Sequence, residues 1–98
     1  MQRELVNLKN VCKLLNKTTD EILKKVDFWK IVIFIDCEDL KKDGFNIKPN
    51  YEYLQSYLDG NGNVIYDKLI NMHRDLIKKD GDKIMIDLRI ALKMVKLK

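Results

Sequence analysis

The stretch WKIVIFID, from Trp29 to Asp36, constrains the fold of this chain more than any other part of the sequence. Its five consecutive apolar residues, Ile31 to Ile35, must be buried, and they are far fewer than the roughly 20 needed to span a bilayer. Their β-branched and aromatic side chains favour extended backbone, and a short apolar run is typical of a strand covered on both faces. The sequence therefore predicts a buried central strand over residues 29–36.

The segment before this strand has a helical pattern. Apolar residues at helical spacing occur at Leu5, Leu8, Val11, Cys12 and Leu15. Thr18 precedes Glu21 by three residues, which is the signature of a capping box at the start of a second helix. We predict a helical hairpin over residues 1–27 and a mixed α/β part over residues 28–98. The fold class is then α/β or α+β, with flanking helices around a small sheet.

Chain length and composition limit the broad class of the protein. With 98 residues, of which 46% are hydrophobic and 35% charged, the chain is expected to form one globular domain. The N-terminal stretch MQRELVNLKN lacks the apolar segment of a secretory signal. Cys12 and Cys37 have neither disulfide-framework nor metal-ligand spacing. We therefore expect a cytoplasmic protein with no membrane partner.

The charge is basic but mixed. The net charge is +4, with 19 basic and 15 acidic residues, and the only arginines are Arg3, Arg74 and Arg89. This balance is compatible with a nucleic-acid partner, although sequence-specific readers usually contain more arginine. The abundance of lysine, isoleucine and asparagine indicates an A/T-rich genome, such as that of a low-GC bacterium, a phage or a large DNA virus.

Residues 84–95 leave two alternatives open. Apolar residues alternate at Ile84, Ile86, Leu88, Ile90, Leu92 and Met94, and this period of two favours a strand. The segment LRIALKMVK also consists largely of good helix formers. The alternation favours the strand by a small margin.

Three acids, Asp36, Glu38 and Asp39, follow the predicted central strand. The carboxyl end of a strand in an open α/β sheet is where metal-binding or phosphate-handling groups are placed. Clustered carboxylates also repel one another unless a cation holds them. The alternative is that Asp36 caps a helical turn and the other two acids face water.

The stretch IVIFIDCEDL resembles the first strand of NYN domains, the PIN-like nucleases, which typically ends FID-x-E-N-L. Asp36 and Glu38 match this motif, and Asp39 takes the place of the asparagine. NIKPNYEYLQSYL is similar to the first helix of the family, GNVIY to its second strand, and IDLRIALKMV to a later helix that carries Asp87. The resemblance covers residues 29–97. It implies that Asp36 and Asp87 are the catalytic acids and that Asp36, Glu38, Asp39 and Asp87 bind Mg²⁺ or Mn²⁺, which activates water on a phosphodiester.

The sequence departs from the family pattern in ways that bear on activity. Lys93 occupies the position of a second aspartate in the later helix, and the strand that carries further family acids has no counterpart before the end of the sequence. The resemblance also requires residues 84–95 to be helical. We therefore expect an incomplete, binding-only relative with no cofactor, unless the acidic cluster functions with Mg²⁺ or Mn²⁺.

Tyrosines and lysines in the middle of the chain are the candidate binding residues: Tyr51, Tyr53, Tyr57, Lys48 and Lys68. Tyrosine offers a rigid ring for stacking a base or for anchoring a protein partner. His73, the sole histidine, is predicted to be solvated. The leading hypothesis is a small basic domain that contacts nucleic acid. One alternative is a protein-interaction module, such as a phage- or virus-encoded inhibitor or an accessory subunit, with an oligomer possible; a second is a metal-dependent ribonuclease.

Overall fold

The computed structural model describes residues 4–96, so residues 1–3 of the predicted hairpin and residue 97 of the NYN resemblance lie outside the described residues. The elements in chain order are β1 (Leu5–Asn7), α1 (Leu8–Leu15), α2 (Thr19–Leu23), α3 (Val26–Lys42), a 3-10 helix (Glu52–Tyr57), α4 (Asp67–Met72), β2 (Ile77–Asp80), β3 (Lys83–Asp87) and α5 (Leu88–Lys96). The three strands form an antiparallel sheet in the order β1-β3-β2, and the helices flank it. The fold is mixed α+β, with a radius of gyration of 13.2 Å.

The predicted helical hairpin is confirmed for α1 and α2. Asn16 ends α1 in the left-handed conformation, with φ of 57°. Thr18 then caps α2: its hydroxyl accepts from the backbone N–H of Glu21, and the Glu21 carboxylate accepts from the backbone N–H of Thr18. The hairpin differs from the prediction at its start, because Leu5–Asn7 pairs with β3 as a short strand.

The predicted central strand over residues 29–36 is wrong, because these residues lie within the 17-residue helix α3. Trp29, Val32 and Ile33 recur at the helical spacing of three and four and are buried. Lys30 and Phe34, also four apart, are exposed. Burial against several neighbouring elements outweighs the modest extended preference of isoleucine, valine and phenylalanine.

The turn predicted at Asp43-Gly44 is confirmed and ends α3. Gly44 has a φ of 96°, its N–H donates to the Lys41 carbonyl, and the Phe45 N–H donates to the Leu40 carbonyl. These two bonds are those of a Schellman motif, in which a left-handed residue just past the helix satisfies its last carbonyls. A lysine or an isoleucine at position 44 would be strained, which is why the helix stops at a glycine.

Each alternative for residues 84–95 is correct over part of the segment: residues 84–87 are strand and residues 88–95 are helix. The strand β3 extends to Asp87, and α5 begins at the next residue. Asp87 makes this switch possible because its carboxylate accepts from the backbone N–H of Arg89 at 2.8 Å and so satisfies an unpaired donor in the first turn of α5. Ile90 and Met94 then face the core at helical spacing.

The core is centred on Trp29, which is fully buried and donates its indole N–H to the Leu23 carbonyl at 2.7 Å. Phe28 packs edge-on against this ring, with 5.1 Å between centroids. Helix α3 thereby joins α2, and it also packs against α5. None of the helices within residues 4–96 has both the length and the apolar character needed to cross a membrane.

Candidate functional site

A cleft of about 420 Å³ lies on the surface where α3 and α5 pack together. It is lined by Lys30, Ile31, Phe34, Tyr51, Lys93 and Lys96, and we call it the aromatic cleft. This volume lies within the range of small-ligand sites. Of the six described residues that line it, three are lysines and none is acidic. The cleft therefore offers apolar ring surface within a positively charged rim.

Helical spacing places these side chains together. Lys30 and Phe34 are one turn apart on the exposed face of α3, while Lys93 and Lys96 are three residues apart on α5. Tyr51, which is half-buried, lies just before the 3-10 helix and adds a second aromatic ring to the cleft. Phe34 remains 37% exposed, so its ring is available to a ligand.

Each ring in the cleft is paired with a lysine. The Lys93 ammonium lies 4.9 Å from the centroid of Phe34, and the Lys30 ammonium lies 6.0 Å from the centroid of Tyr51. Cation–π contacts at exposed positions are worth about 0.5–1 kcal/mol each. A flat aromatic ligand can therefore displace the ammonium groups from the rings without a large loss of free energy.

The acids predicted at the metal site are held by an arginine. Arg89 binds Asp39 through two parallel hydrogen bonds, Nη1 to Oδ1 at 2.6 Å and Nη2 to Oδ2 at 3.0 Å. Its Nε and Nη2 atoms also donate to the two carboxylate oxygens of Asp87, at 2.9 and 3.0 Å. Asp87 is only 2% exposed. The guanidinium thus supplies the positive charge that this pair of carboxylates needs.

The pKa values in this cluster follow from the same contacts. Burial by itself raises the pKa of the Asp87 carboxyl, but the hydrogen bonds from the side chain and backbone of Arg89 outweigh it and hold this pKa below its ordinary value. The hydrogen bonds to Asp39 and then to Asp87 raise the pKa of the Arg89 guanidinium. The Asp87 carboxylate and the Arg89 guanidinium are therefore charged at neutral pH.

Asp36 belongs to a different cluster, in which His73 lies between it and Tyr53. The Tyr53 hydroxyl lies 2.7 Å from His73 Nε2, and His73 Nδ1 lies 3.5 Å from Asp36 Oδ2. His73 is 9% exposed, so its predicted solvated position is wrong. With the ring neutral and its proton on Nδ1, Nε2 accepts from the tyrosine and the N–H faces the carboxylate. This arrangement connects α3, the 3-10 helix and the end of α4.

Burial lowers the pKa of His73, and the nearby Asp36 carboxylate opposes this effect. Burial also raises the pKa of Tyr53 to about 12, so the tyrosine is neutral and available as a donor. Because the folded pKa of His73 lies below its unfolded value of about 6.5, neutral His73 stabilises the protein above that pH. We expect the melting temperature to fall as the pH drops below about 6.5 and through the folded pKa.

The sole histidine makes this pH dependence testable. We expect the melting temperature of His73→Gln to fall less than that of the wild type between neutral and mildly acidic pH, as measured by circular dichroism. The melting temperature of Asp36→Asn should fall more than that of the wild type, since the carboxylate favours the imidazolium. An unchanged pH profile in His73→Gln would contradict the assignment.

The four acids predicted to bind a metal therefore each lie beside a basic side chain or beside the histidine. Asp39 and Asp87 contact Arg89, Asp36 faces His73, and Glu38 pairs with Lys41 at 3.4 Å. Within residues 4–96, no group of three or more histidine, cysteine or acidic side chains could hold a metal ion. The strand that the NYN resemblance requires, predicted over residues 29–36, is helical. The resemblance and its implied ribonuclease activity stay predictions.

Of the predicted binding residues, Tyr51 alone lines the aromatic cleft. Tyr53 contacts His73, and Tyr57 packs edge-on against Tyr53 while its hydroxyl contacts a methionine sulfur. Lys48 and Lys68 are exposed and are not among the six cleft-lining residues. The sequence prediction missed the other five residues that line the cleft: Lys30, Ile31, Phe34, Lys93 and Lys96.

A signal for these missed residues exists in the sequence. If residues 30–34 are taken as helical, Lys30 and Phe34 fall on one face, and the same holds for Lys93 and Lys96 at the other end of the chain. Comparison of the chain with protein-family models, curated proteins and solved structures finds no match. The geometry and charge of the cleft are therefore the basis for a functional proposal.

Proposed function

We propose that this protein binds single-stranded nucleic acid, without cleaving it, through the aromatic cleft. The observation that carries the proposal is the placement of two accessible aromatic side chains, Phe34 and Tyr51, among three lysines. Single-stranded nucleic acids present unstacked bases and a regular series of phosphates. Proteins that bind them combine stacking side chains with a positively charged groove.

The contacts in the free protein support this ligand class. Lys93 and Lys30 rest against the rings of Phe34 and Tyr51. A base that stacks on a ring replaces a weak cation–π contact and contributes about 1–3 kcal/mol. The displaced ammonium groups, which are flexible point charges, then pair with the flanking phosphates. The residues of the cleft can thus bind both the base and the phosphate backbone of the ligand.

The composition of the cleft indicates weak sequence preference. Lysine neutralises phosphate but lacks the rigid two-donor geometry by which arginine reads guanine edges. Every base has a ring face that can stack, so stacking tolerates different sequences. We therefore expect an oligomer of thymidylate and an oligomer of uridylate to bind with affinities within about threefold of each other.

A salt titration tests the proposal. Fluorescence anisotropy of a labelled thymidylate trinucleotide should show binding at low salt that weakens as salt rises. For three lysine–phosphate contacts on a single strand, the logarithm of the affinity should fall with the logarithm of salt with a slope of about −2. Absence of binding at low salt would contradict the proposal, since lysine contacts are strongest there.

A duplex of the same sequence is the matched control. We expect it to bind more weakly because its bases are stacked and paired and cannot reach Phe34. Equal affinity for duplex and single strand would contradict the stacking contact. In parallel, RNA incubated with Mn²⁺ should stay intact; cleavage that Asp36→Asn abolishes would favour the ribonuclease hypothesis instead.

A further inference from the structure

Two further surface depressions lie in sequence beside the aromatic cleft. The first, of about 370 Å³, lies between α1, α2, α3 and α5 and shares Ile31 with the cleft. The second, of about 360 Å³, lies along α1 and shares Lys17 with the first. The three depressions therefore lie next to one another in series, from α5 across α3 to α1, and we call this series the groove.

Lysines follow this groove over its whole length. Beyond the cleft they are Lys9, Lys13, Lys17 and Lys25, and we call these four residues the lysine track. Lys9 and Lys13 are one turn apart on the exposed face of α1, and the left-handed turn at Asn16 brings Lys17 to the junction of the two depressions.

Acidic side chains are fewer along the groove. Asp27 lines the first depression beside Lys17 and Lys25, and Asp82 lines the second beside three lysines. Among the described lining residues, lysines thus outnumber acids in both. The chain as a whole carries 19 basic and 15 acidic residues, so this local excess exceeds the average of the sequence.

We propose that a single strand held in the aromatic cleft continues past Ile31 and Lys17 onto α1, where the lysine track binds its phosphates. This inference rests on the proposed function and adds the path and the length of the ligand. The lysine track offers positive charge. Among the described residues that line the two further depressions, the one aromatic ring is that of Phe28, which is buried. It therefore contacts the backbone and not the bases.

Ligand length separates the two parts of the groove. A thymidylate trinucleotide should fill the cleft alone, whereas an oligomer of about 12 nucleotides should also reach the track. We expect the slope of the logarithm of affinity against the logarithm of salt to steepen from about −2 for the trinucleotide to about −5 for the longer strand. The longer strand would contact seven lysines, whereas the trinucleotide would contact three.

Lys9→Gln combined with Lys13→Gln tests the path directly. At about 0.1 M salt each lost phosphate contact lowers single-strand affinity roughly fivefold, so the double variant should bind the longer strand about 20-fold more weakly. Its affinity for the trinucleotide should not change. The matched control is Lys78→Gln combined with Lys79→Gln, which removes the same charge from β2, outside the described groove residues.

Three results would overturn the path. The first is an equal loss of affinity for both lengths in the α1 variant, the second is a loss for the longer strand that the β2 control matches, and the third is an α1 variant that binds both lengths as the wild type does. If the wild type binds the trinucleotide but the α1 variant is unaffected at either length, the track is wrong and the cleft proposal stands. If the wild type binds neither length, the proposed function itself fails.

Discussion

Replacing Arg89 with methionine is expected to lower the free energy of unfolding by about 3 kcal/mol. The guanidinium makes hydrogen bonds to both Asp39 and Asp87, and the Asp87 side chain is only 3% exposed. Methionine retains much of the apolar volume but leaves a buried carboxylate without its cation. Removal of one partner of such a pair costs more than the pair itself contributes, because the remaining charge stays desolvated. Urea denaturation at neutral pH measures the loss.

The control for this prediction is Lys93→Met on the same helix. Lys93 is exposed and lies against Phe34, so its removal should change the free energy of unfolding by less than about 0.5 kcal/mol. The deficit of Arg89→Met should also shrink in acid, since Asp87 without its arginine is easily protonated. In the wild type, Asp87 has a lowered pKa and stabilises the fold above about pH 4, an effect lost as the pH falls further. Similar losses in the two variants would contradict the account of this cluster.

Local signals in the sequence predicted local features of the fold. The capping box at Thr18 and Glu21 and the turn at Asp43-Gly44 were predicted because each depends on side chains and backbone within a few residues. The strand predicted over residues 29–36 was wrong because burial of that segment depends on elements distant in the chain. Five β-branched and aromatic residues in a row fit a buried strand as well as a buried helix.

The candidate site was only partly predictable for the same reason. The NYN resemblance placed Asp39 and Asp87 in one metal-binding set with Asp36 and Glu38, but Arg89 lies 50 residues from Asp39 and no spacing rule connects them. Tyr51 was predicted as a stacking residue without its partner Phe34, which the strand prediction had placed in the core. His73 was assigned to solvent because the sequence around it is polar, whereas Trp29 and Tyr53 enclose it in the fold.

Removal of the Phe34 ring is expected to have the largest effect on ligand binding. A stacked base contributes about 1–3 kcal/mol, so Phe34→Ala should weaken binding of a thymidylate oligomer by roughly fivefold to more than a hundredfold. Phe34 is on the exposed face of α3, and the protein should remain folded without it. Tyr51→Leu, which keeps apolar volume at a half-buried position but removes the aromatic ring, should weaken binding in the same direction.

Phe45→Ala is the matched control, because Phe45 is 58% exposed and is not among the described residues that line the cleft. It removes the same side chain from the surface and should leave affinity within about twofold of the wild type. Circular dichroism of each variant confirms that the fold is retained, so that a loss of affinity reports on the cleft.

Single-strand binding through the aromatic cleft is tested most directly by the affinities of wild type, Phe34→Ala and Phe45→Ala for a single-stranded thymidylate oligomer, measured by fluorescence anisotropy at low salt. We predict binding by the wild type and by Phe45→Ala, and a loss of at least about fivefold in Phe34→Ala. Equal affinities for the wild type and Phe34→Ala would contradict it.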